Sequence, residues 1–269
     1  MPSCSAPTSV DAELAIERMR SGRNGAVRLS ARDPQGIEVH VVVKPATRLA
    51  MAPLEYLCEW VSSTIARALG VPTPEPYAVE IGQAFVDAIS DAAIQRDFSG
   101  SLGPAFGSGF VTGSYTQMVS GLALTAEQRA SAALLLAFDL FVHNVDRQAK
   151  NPNLFVHRDG FLALDHDQAC SFVLPIIGAP DHVEDPLLDV VERHVFRHSF
   201  RRTAMPVAEI AARIAALDDP FFAEMEKLTP PAWTAGRARG KIEQIVDVLR
   251  KRRDAVNRWL PLAFARLTE

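Results

Sequence analysis

Apolar and polar residues alternate along the stretch from Ile37 to Lys44, which is the pattern of a β-strand. The residues that would share one face of this strand are Ile37, Val39, Val41 and Val43. A second apolar run, Ala26–Ala31, predicts the strand before it, and residues 32–36 contain the Pro and Gly of a turn. We therefore expect a hairpin that ends at Lys44.

Two stretches near this hairpin have the spacing of amphipathic helices. The first runs from Val10 to Arg20, with Val10, Leu14 and Ile16 on its apolar side. The second runs from Pro53 to Leu69, and Gly70 and Pro72 end it. Its apolar positions are Leu54, Leu57, Cys58, Val61, Ile65 and Leu69. A further strand is predicted at Tyr77–Ile81.

In residues 82–112 the apolar residues follow no single helical or strand spacing. A helical piece is predicted around Phe85–Ile94, and the Gly-, Ser- and Pro-rich stretch Phe98–Gly113 follows it. We expect an insertion or a flexible segment here, which leads to a connector near Tyr115–Gly121. In that connector Gln117 and Met118 could cross between two lobes, and a plain surface loop is the alternative.

The second half of the chain is mainly helical by pattern. Thr125 and Gln128 form a capping box that starts an Ala- and Leu-rich, buried helix ending at Val142. A hairpin follows, with strands Asn153–His157 and Phe161–Leu164 and an Asp-Gly turn between them. The later helices are predicted at Pro186–Val195, Pro206–Leu217, Pro220–Leu228 and Arg239–Leu267.

Composition narrows the class of protein. The 269 residues are 48% hydrophobic and 22% charged, which is ordinary for a soluble globular protein. A formal net charge of −4 gives no reason to expect direct nucleic-acid binding. The three cysteines are widely spaced, no signal peptide is evident and no apolar run is long enough for a membrane span. We expect a cytoplasmic protein with no membrane partner.

Candidate catalytic residues lie around the second predicted hairpin, the one formed by Asn153–His157 and Phe161–Leu164. Asp146 and Asn151 fall in the loop before it, and Asp165 follows its second strand. Carboxylate and amide oxygens are hard ligands that suit Mg²⁺ bound with a nucleotide phosphate. In phosphoryl transfer one Asp orients the acceptor hydroxyl, while an Asn and a second Asp hold the metal. The pattern predicts a kinase catalytic loop, although Asp and Asn also occur in loops as caps and turns.

The first half of the chain contains a loop, a strand and a helix in the order in which kinases build a phosphate-binding site. The loop Ser21–Gly25 contains Gly22 and Gly25, which would let backbone amides approach a phosphate, although an ordinary turn fits this loop as well. Lys44 ends a strand, and a helix with Glu55 and Glu59 follows it. In kinases a lysine placed this way pairs with a helical glutamate and grips phosphates. The helical period alone leaves Glu55 and Glu59 both open as its partner.

Histidine spacing suggests a competing kind of site, that of a zinc hydrolase. His194 and His198 are four residues apart, which can place both on a metal, but the glutamate of the H-E-x-x-H motif is absent. No G-x-S-x-G elbow occurs, so serine hydrolase chemistry has no support.

These motifs resemble those of the HipA-like kinases and, more widely, of the phosphatidylinositol kinases. The segments that carry the resemblance are Asp146-Arg147-Gln148-Ala149-Lys150-Asn151, Leu164-Asp165-His166-Asp167, Val43-Lys44-Pro45, Glu59-Trp60, Leu69-Gly70-Val71-Pro72 and Phe106-Gly107-Ser108. The resemblance implies a two-lobed α+β protein-kinase-like fold, with a sheet-containing N-lobe at 1–118 and a mainly helical C-lobe at 119–269. Gln148, where many relatives have His, and the sequence after Asp165 depart from the family pattern.

The resemblance also implies roles for the individual residues. Lys44 would grip the ATP phosphates and Glu59, favoured over Glu55, would orient it. Asp146 would act on the acceptor hydroxyl, and Asn151 and Asp165 would bind Mg²⁺. Asp167, beside Asp165, could share the metal.

We accordingly predict an ATP- and Mg²⁺-dependent kinase that phosphorylates a hydroxyl group, that of Ser or Thr in a protein. The alternatives are a small-molecule or lipid kinase, and a pseudokinase or nucleotide-binding partner module. Because the family includes kinases from toxin–antitoxin pairs, an antitoxin-like or regulatory protein partner is also implied.

Overall fold

The computed structural model describes residues 2–19, 24–119, 121–174, 190–200 and 205–268. It is a mixed α+β structure with a sheet-containing N-terminal region and a helical C-terminal region. Among the helices in these ranges, none combines the length and the apolar character needed to cross a membrane.

A closed five-stranded barrel forms the N-terminal region. Its strands are β1 (Thr8–Arg18), β2 (Val27–Arg32), β3 (Glu38–Val43), β4 (Pro76–Ile81) and β5 (Gly103–Gly109). Their order is β1-β2-β3-β5-β4, and a parallel pairing of β1 with β4 closes the barrel. The expected hairpin is present as the antiparallel pair β2 and β3, which places Lys44 directly after β3.

The predicted helix over Val10–Arg20 is wrong, since this segment is strand β1. Val10 is buried, whereas the side chains of Leu14 and Ile16 are exposed. The register between β1 and β2 shifts near Ala12 and again after Ala15, so apolar residues do not alternate regularly along the strand. Pairing on both edges of β1 outweighs the weak helical spacing.

The expectation of an insertion or flexible segment over Phe98–Gly113 is also wrong in its central part. Strand β5 lies between β3 and β4 and pairs with both of them. Before it, the single helical piece expected around Phe85–Ile94 is two short helices, α2 (Gln83–Ala88) and α3 (Ala92–Ser99). The glycines of β5 belong to a packed strand and not to a loop.

Helix α1 (Leu54–Leu69) lies where the apolar pattern placed it and is almost entirely buried. Gly70 ends it with φ 81°, a left-handed conformation that glycine adopts without strain. The helix packs against β5 of the barrel and against the long helix of the second half. It therefore carries its side chains into the space between the two halves.

The second half begins with a capped helix and a small sheet. Helix α4 (Ala126–Val142) has the predicted capping box between Thr125 and Gln128. Strands β6 (Thr116–Gln117), β7 (Leu154–His157) and β8 (Gly160–Ala163) form a three-stranded sheet in that order. The β7–β8 hairpin packs on α4, and the loop between α4 and β7 carries Asp146 and Asn151.

The α-helices between residues 205 and 268 are α5 (Val207–Ala215), α6 (Asp219–Leu228), α7 (Lys241–Asp254) and α8 (Val256–Thr268). The last predicted helix is thus two helices that meet at Ala255. Of the helix expected at 186–195, residues 190–193 are helical and 186–189 lie outside the described residues.

Candidate active site

A cavity of about 410 Å³ lies between the barrel, helix α1 and the β7–β8 hairpin. Residues from both halves line it, including Val42, Lys44, Glu59, Phe106, Gln117, Asn151, Phe155, Asp165 and Asp167. Apolar and aromatic side chains form much of its wall, while charged groups converge at one end. An apolar pocket with a few converging polar groups is typical of a small-molecule binding site.

Lys44 is the centre of the charged end. Its ammonium donates to Glu59 Oε1 at 2.9 Å, Asp165 Oδ1 at 2.5 Å and Asp167 Oδ2 at 2.7 Å. The Tyr56 hydroxyl donates to the Lys44 carbonyl at 2.7 Å and so fixes the backbone from which the side chain extends. Burial lowers the pKa of Lys44, but the three carboxylates outweigh burial and raise it well above its ordinary value. The lysine is therefore charged at neutral pH.

The structure distinguishes the two candidate glutamates by their contacts. Glu55 Oε2 accepts from the backbone N–H of Met51 at 2.8 Å, which uses it at the start of α1. Glu59 lies one turn further on and contacts Lys44, while its Oε2 accepts from the His166 N–H at 2.8 Å. Glu59 thus joins the lysine to the segment that contains Asp165 and Asp167.

The three carboxylates around Lys44 have different electrostatic environments. Burial raises the pKa of Asp165, but the lysine charge dominates and holds it below the ordinary value. Burial, together with the nearby carboxylates of Asp165 and Glu59, raises the pKa of Asp167 to about 7, although the charge of Lys44 acts in the opposite direction. Burial also raises the pKa of Glu59. One ammonium does not neutralise three close carboxylates, so the site has room for further positive charge.

The same carboxylates fit a divalent cation. Glu59, Asp165 and Asp167 each offer an oxygen, and these oxygens lie within 4.8 Å of one another. Hard carboxylate oxygens are the ligands that Mg²⁺ prefers. The sequence pattern named Asn151 and Asp165 for the metal. The geometry adds Asp167, which the family resemblance allows as a further metal ligand, and Glu59, for which the resemblance implies only the contact with Lys44.

Asp146 and Asn151 meet at the edge of the cavity. Asp146 Oδ2 accepts from Asn151 Nδ2 at 2.6 Å and from Asn153 Nδ2 at 3.1 Å. Burial raises the pKa of Asp146, and the nearby Asp165 carboxylate raises it further. Asn151 and Asp165 both line the cavity, and Asp146 is connected to it through its hydrogen bonds with Asn151 and Asn153.

A buried network that sequence reasoning missed supports this loop. Arg147 Nε donates to Asp139 Oδ2 at 2.6 Å, and both side chains are fully buried. Arg147 also donates to the carbonyls of Asn153 and Leu164, at 2.7 and 3.2 Å, which ties the loop to the two strands of the hairpin. A lone aspartate inside an apolar helix was the available signal, because a buried carboxylate needs partners.

The predicted phosphate loop is described only in part. Gly22 lies outside the described residues, and Gly25 has φ 58° beside the cavity. Asn24 lines the cavity, and its Nδ2 donates to Asp167 Oδ2 at 3.0 Å, a contact that the sequence did not suggest. The loop before β2 therefore reaches the charged end of the site.

Part of the predicted connector also borders the cavity. Gln117 is exposed, lines the cavity and pairs with Phe155 in the small sheet. Met118 is buried, and its N–H donates to the Leu154 carbonyl at 2.9 Å. The connector thus joins the sheet of the second half.

Comparison with known families agrees with this arrangement. The model of the family described as HipA-like kinase matches residues 38–257, which is most of the chain and includes Lys44, Asp146 and Asp165. Among curated proteins, none matches the chain. The protein belongs to the HipA-like kinase family.

Proposed function

We propose that the protein uses ATP and Mg²⁺ to phosphorylate a hydroxyl group, that of a serine or threonine in a protein acceptor. The observation that carries this proposal is the contact of Lys44 with Glu59 and Asp165 in a cavity whose lining residue Asn151 donates a hydrogen bond to Asp146. Membership of a kinase family supports the reaction class. Phosphoryl transfer depends mainly on positioning and charge, which this set of residues supplies.

Asp146 is the proposed base. The acceptor oxygen would attack the γ-phosphorus, the bond from that phosphorus to the β–γ bridging oxygen would break to leave ADP, and Asp146 would take the hydroxyl proton. Its raised pKa makes the carboxylate a better proton acceptor than an ordinary aspartate. Asn151 and Asn153 hold the carboxylate by hydrogen bonds to one oxygen, which leaves the other for the acceptor.

Lys44 and the carboxylates are the proposed phosphate and metal groups. Lys44 would contact the ATP phosphates while Glu59 keeps the ammonium in place. Asp165 and Asp167 would hold Mg²⁺, with Asn151 close by. When bound, Mg²⁺ would offset negative charge on the phosphates. Gln117 and Phe155 would border the part of the cavity that takes the base.

The protein acceptor and an antitoxin-like or regulatory partner are proposed from the resemblance to the HipA-like kinases. Residues 175–189, which follow the site in sequence, lie outside the described residues. A small-molecule or lipid acceptor would use the same residues around ATP. A module that binds nucleotide without transfer would keep Lys44 and Asp165 and have no use for Asp146.

The test is thermal unfolding with and without Mg–ATP, together with transfer of labelled γ-phosphate to protein, lipid and small-molecule acceptors. At a hundredfold excess over Kd, ligand should stabilise the wild type by about 2.7 kcal/mol. Asp165→Ala should lose most of this stabilisation, and Asp146→Ala should keep it but transfer no phosphate. Asp159→Ala, at the exposed hairpin turn, is the matched control and should behave as the wild type.

Three outcomes separate the candidates. Transfer only to lipids or metabolites would replace the protein acceptor. Stabilisation without transfer to any acceptor, including the protein itself, would favour the nucleotide-binding module. Full transfer by Asp146→Ala or Asp165→Ala would reject the assignment of the site.

A further inference from the structure

Asp97 lies on α3, in the region where the sequence had no clear period, and its side chain is 9% exposed. One carboxylate oxygen accepts from Arg18 Nη2 at 2.7 Å, and the other accepts from Arg48 Nε at 2.9 Å. Arg18 ends strand β1, and Arg48 lies in the short helix Ala46–Arg48 after β3. A single carboxylate therefore joins the two chain segments that flank the charged end of the cavity.

Arg18 connects Asp97 to the loop before β2. Its Nη1 donates to the Gly25 carbonyl at 2.8 Å, while the Met19 N–H donates to the Ala26 carbonyl at 2.8 Å. Gly25 has φ 58°, and a Cβ there would run into the Arg18 guanidinium. The residues on either side, Asn24 and Ala26, line the cavity. The guanidinium thus fixes the loop backbone at the point where the loop borders the site.

The backbone of α3 fixes the segment after Lys44. The Asp97 carbonyl accepts from Thr47 Oγ1 at 2.7 Å and from Ser101 Oγ at 2.8 Å. Ser101 Oγ in turn accepts from the Thr47 N–H at 3.3 Å. A Cβ on Gly100 would lie 2.6 Å from Thr47 Cγ2, so only glycine allows this approach. These contacts fix the position of Thr47, which follows Lys44 by three residues.

From these contacts we propose that Asp97 is a positioning residue for the nucleotide: it sets the loop at Gly25 and the turn after Lys44 before ATP binds. The inference rests on the proposed function and adds a residue outside the cavity to it. Asp97 does not line the cavity, so its effect must pass through Arg18 and Arg48. A site that is ordered in advance loses less entropy on binding, so the expected effect is on affinity.

The test compares Asp97→Asn with Asp91→Asn on the same helix. Asp91 caps α3, where its Oδ1 accepts from the N–H groups of Ala93 and Ile94 at 2.8 and 3.0 Å. Among the described residues it forms no hydrogen bond with Arg18 or Arg48, and of these two only the charge of Arg18 acts on it from a distance. Both variants should lower the unfolding temperature. Only Asp97→Asn should raise the Kd and KM for Mg–ATP, by about tenfold, with kcat changed less than about twofold.

Arg18→Gln gives a second measurement that does not require Asp97→Asn to fold. This variant removes the link to Gly25 from a partly exposed position and should raise the Kd for Mg–ATP by a similar factor. In the double variant, Asp97→Asn with Arg18→Gln, the increase in Kd should be smaller than the product of the two single increases, because both substitutions break the same connection.

The outcomes distinguish the inference from the function on which it rests. If the wild type binds Mg–ATP and both Asp97→Asn and Arg18→Gln bind it equally well, the positioning role is rejected and the proposed function stands. An equal loss of affinity in Asp91→Asn would reduce Asp97 to a stabilising residue of α3. A wild type that binds no Mg–ATP would reject both.

Discussion

His194 is fully buried, and both of its ring nitrogens take part in hydrogen bonds. Nδ1 accepts from the Phe196 N–H at 3.2 Å, so the proton of the neutral ring lies on Nε2, which donates to Asp139 Oδ2 at 3.0 Å. Burial lowers the pKa of His194 below its ordinary value of 6.5, although Asp139 acts in the opposite direction. These contacts leave neither nitrogen for a metal shared with His198, which is exposed.

We expect the pH dependence of stability to report this neutral histidine. Below about pH 6.5 the unfolded chain binds a proton at His194 that the folded protein does not, so the unfolding free energy falls as pH falls towards the folded pKa. The slope from one such group is at most about 1.4 kcal/mol per pH unit. His194→Gln, which can still donate to Asp139, should remove this contribution and so reduce the slope of the unfolding free energy against pH between pH 6.5 and 5, as measured by urea unfolding.

The control for this experiment is His198→Gln, which should keep the wild-type slope. His166 contributes in the same direction, since burial lowers its pKa to about 3, whereas Asp167, whose pKa burial raises to about 7, contributes in the opposite direction. The contribution of His194 is therefore read from the difference between the wild-type slope and the slope of His194→Gln. A slope unchanged from the wild type would mean that His194 is protonated in the folded protein.

Single residues also mark where sequence reasoning stops. Spacing and element order predict Lys44, Asn151 and Asp165, which line one cavity, and Asp146, which accepts a hydrogen bond from Asn151. Spacing along α1 could not separate Glu55 from Glu59, because the difference lies in which partner each meets: the Met51 amide or the Lys44 ammonium. Such partners come from residues distant in sequence, and a period carries no information about them.

At the scale of elements, local sequence signals predict an element correctly where tertiary pairing does not decide its structure. The capping box of α4, the glycine after α1 and the turn of the β7–β8 hairpin each appear as expected. Strands β1 and β5 were missed because tertiary pairing decides them. In a strand with bulges the apolar residues do not alternate regularly, so their spacing can resemble that of a helix. A strand rich in small residues has the composition of a loop.

Strand β5 leads to a prediction about Gly107. A Cβ at this position would lie 2.5 Å from Val79 Cγ2 and 3.5 Å from Val41, inside the closed barrel. Gly107→Ala should therefore lower the unfolding free energy by about 1–3 kcal/mol through overpacking. Gly109→Ala is the matched control, because its new Cβ would have only ordinary contacts at 3.5 Å and longer.

Chemical denaturation of both variants and of a double variant checks this account. If the clash with Val79 is the cause, Val79→Ala should cost less in the Gly107→Ala background than in the wild type. Equal stability of Gly107→Ala and the wild type would show that the barrel relaxes at this point without cost.

At the scale of the whole molecule, contacts between distant parts of the chain build the site. Lys44 reaches Asp165, 121 residues away, and the His166 N–H reaches Glu59, 107 residues away. The Ala163 N–H also donates to the Pro72 carbonyl at 2.8 Å, which ties the β7–β8 hairpin to the segment after α1. The division into lobes at 118 and 119 remains a proposal, and these contacts would cross it.

A ligand in this cavity should therefore stabilise both halves together, which hydrogen exchange can measure. Mg–ATP at a hundredfold excess over Kd should slow exchange by up to about 100-fold in amides that exchange only from an open, ligand-free form. We expect this protection in β3 and in residues 146–153, because both border the cavity, and little in α8. Asp165→Ala should lose the protection in both regions at once. Protection confined to one region would mean that the ligand is held by one half and that the cavity between them is not the nucleotide site.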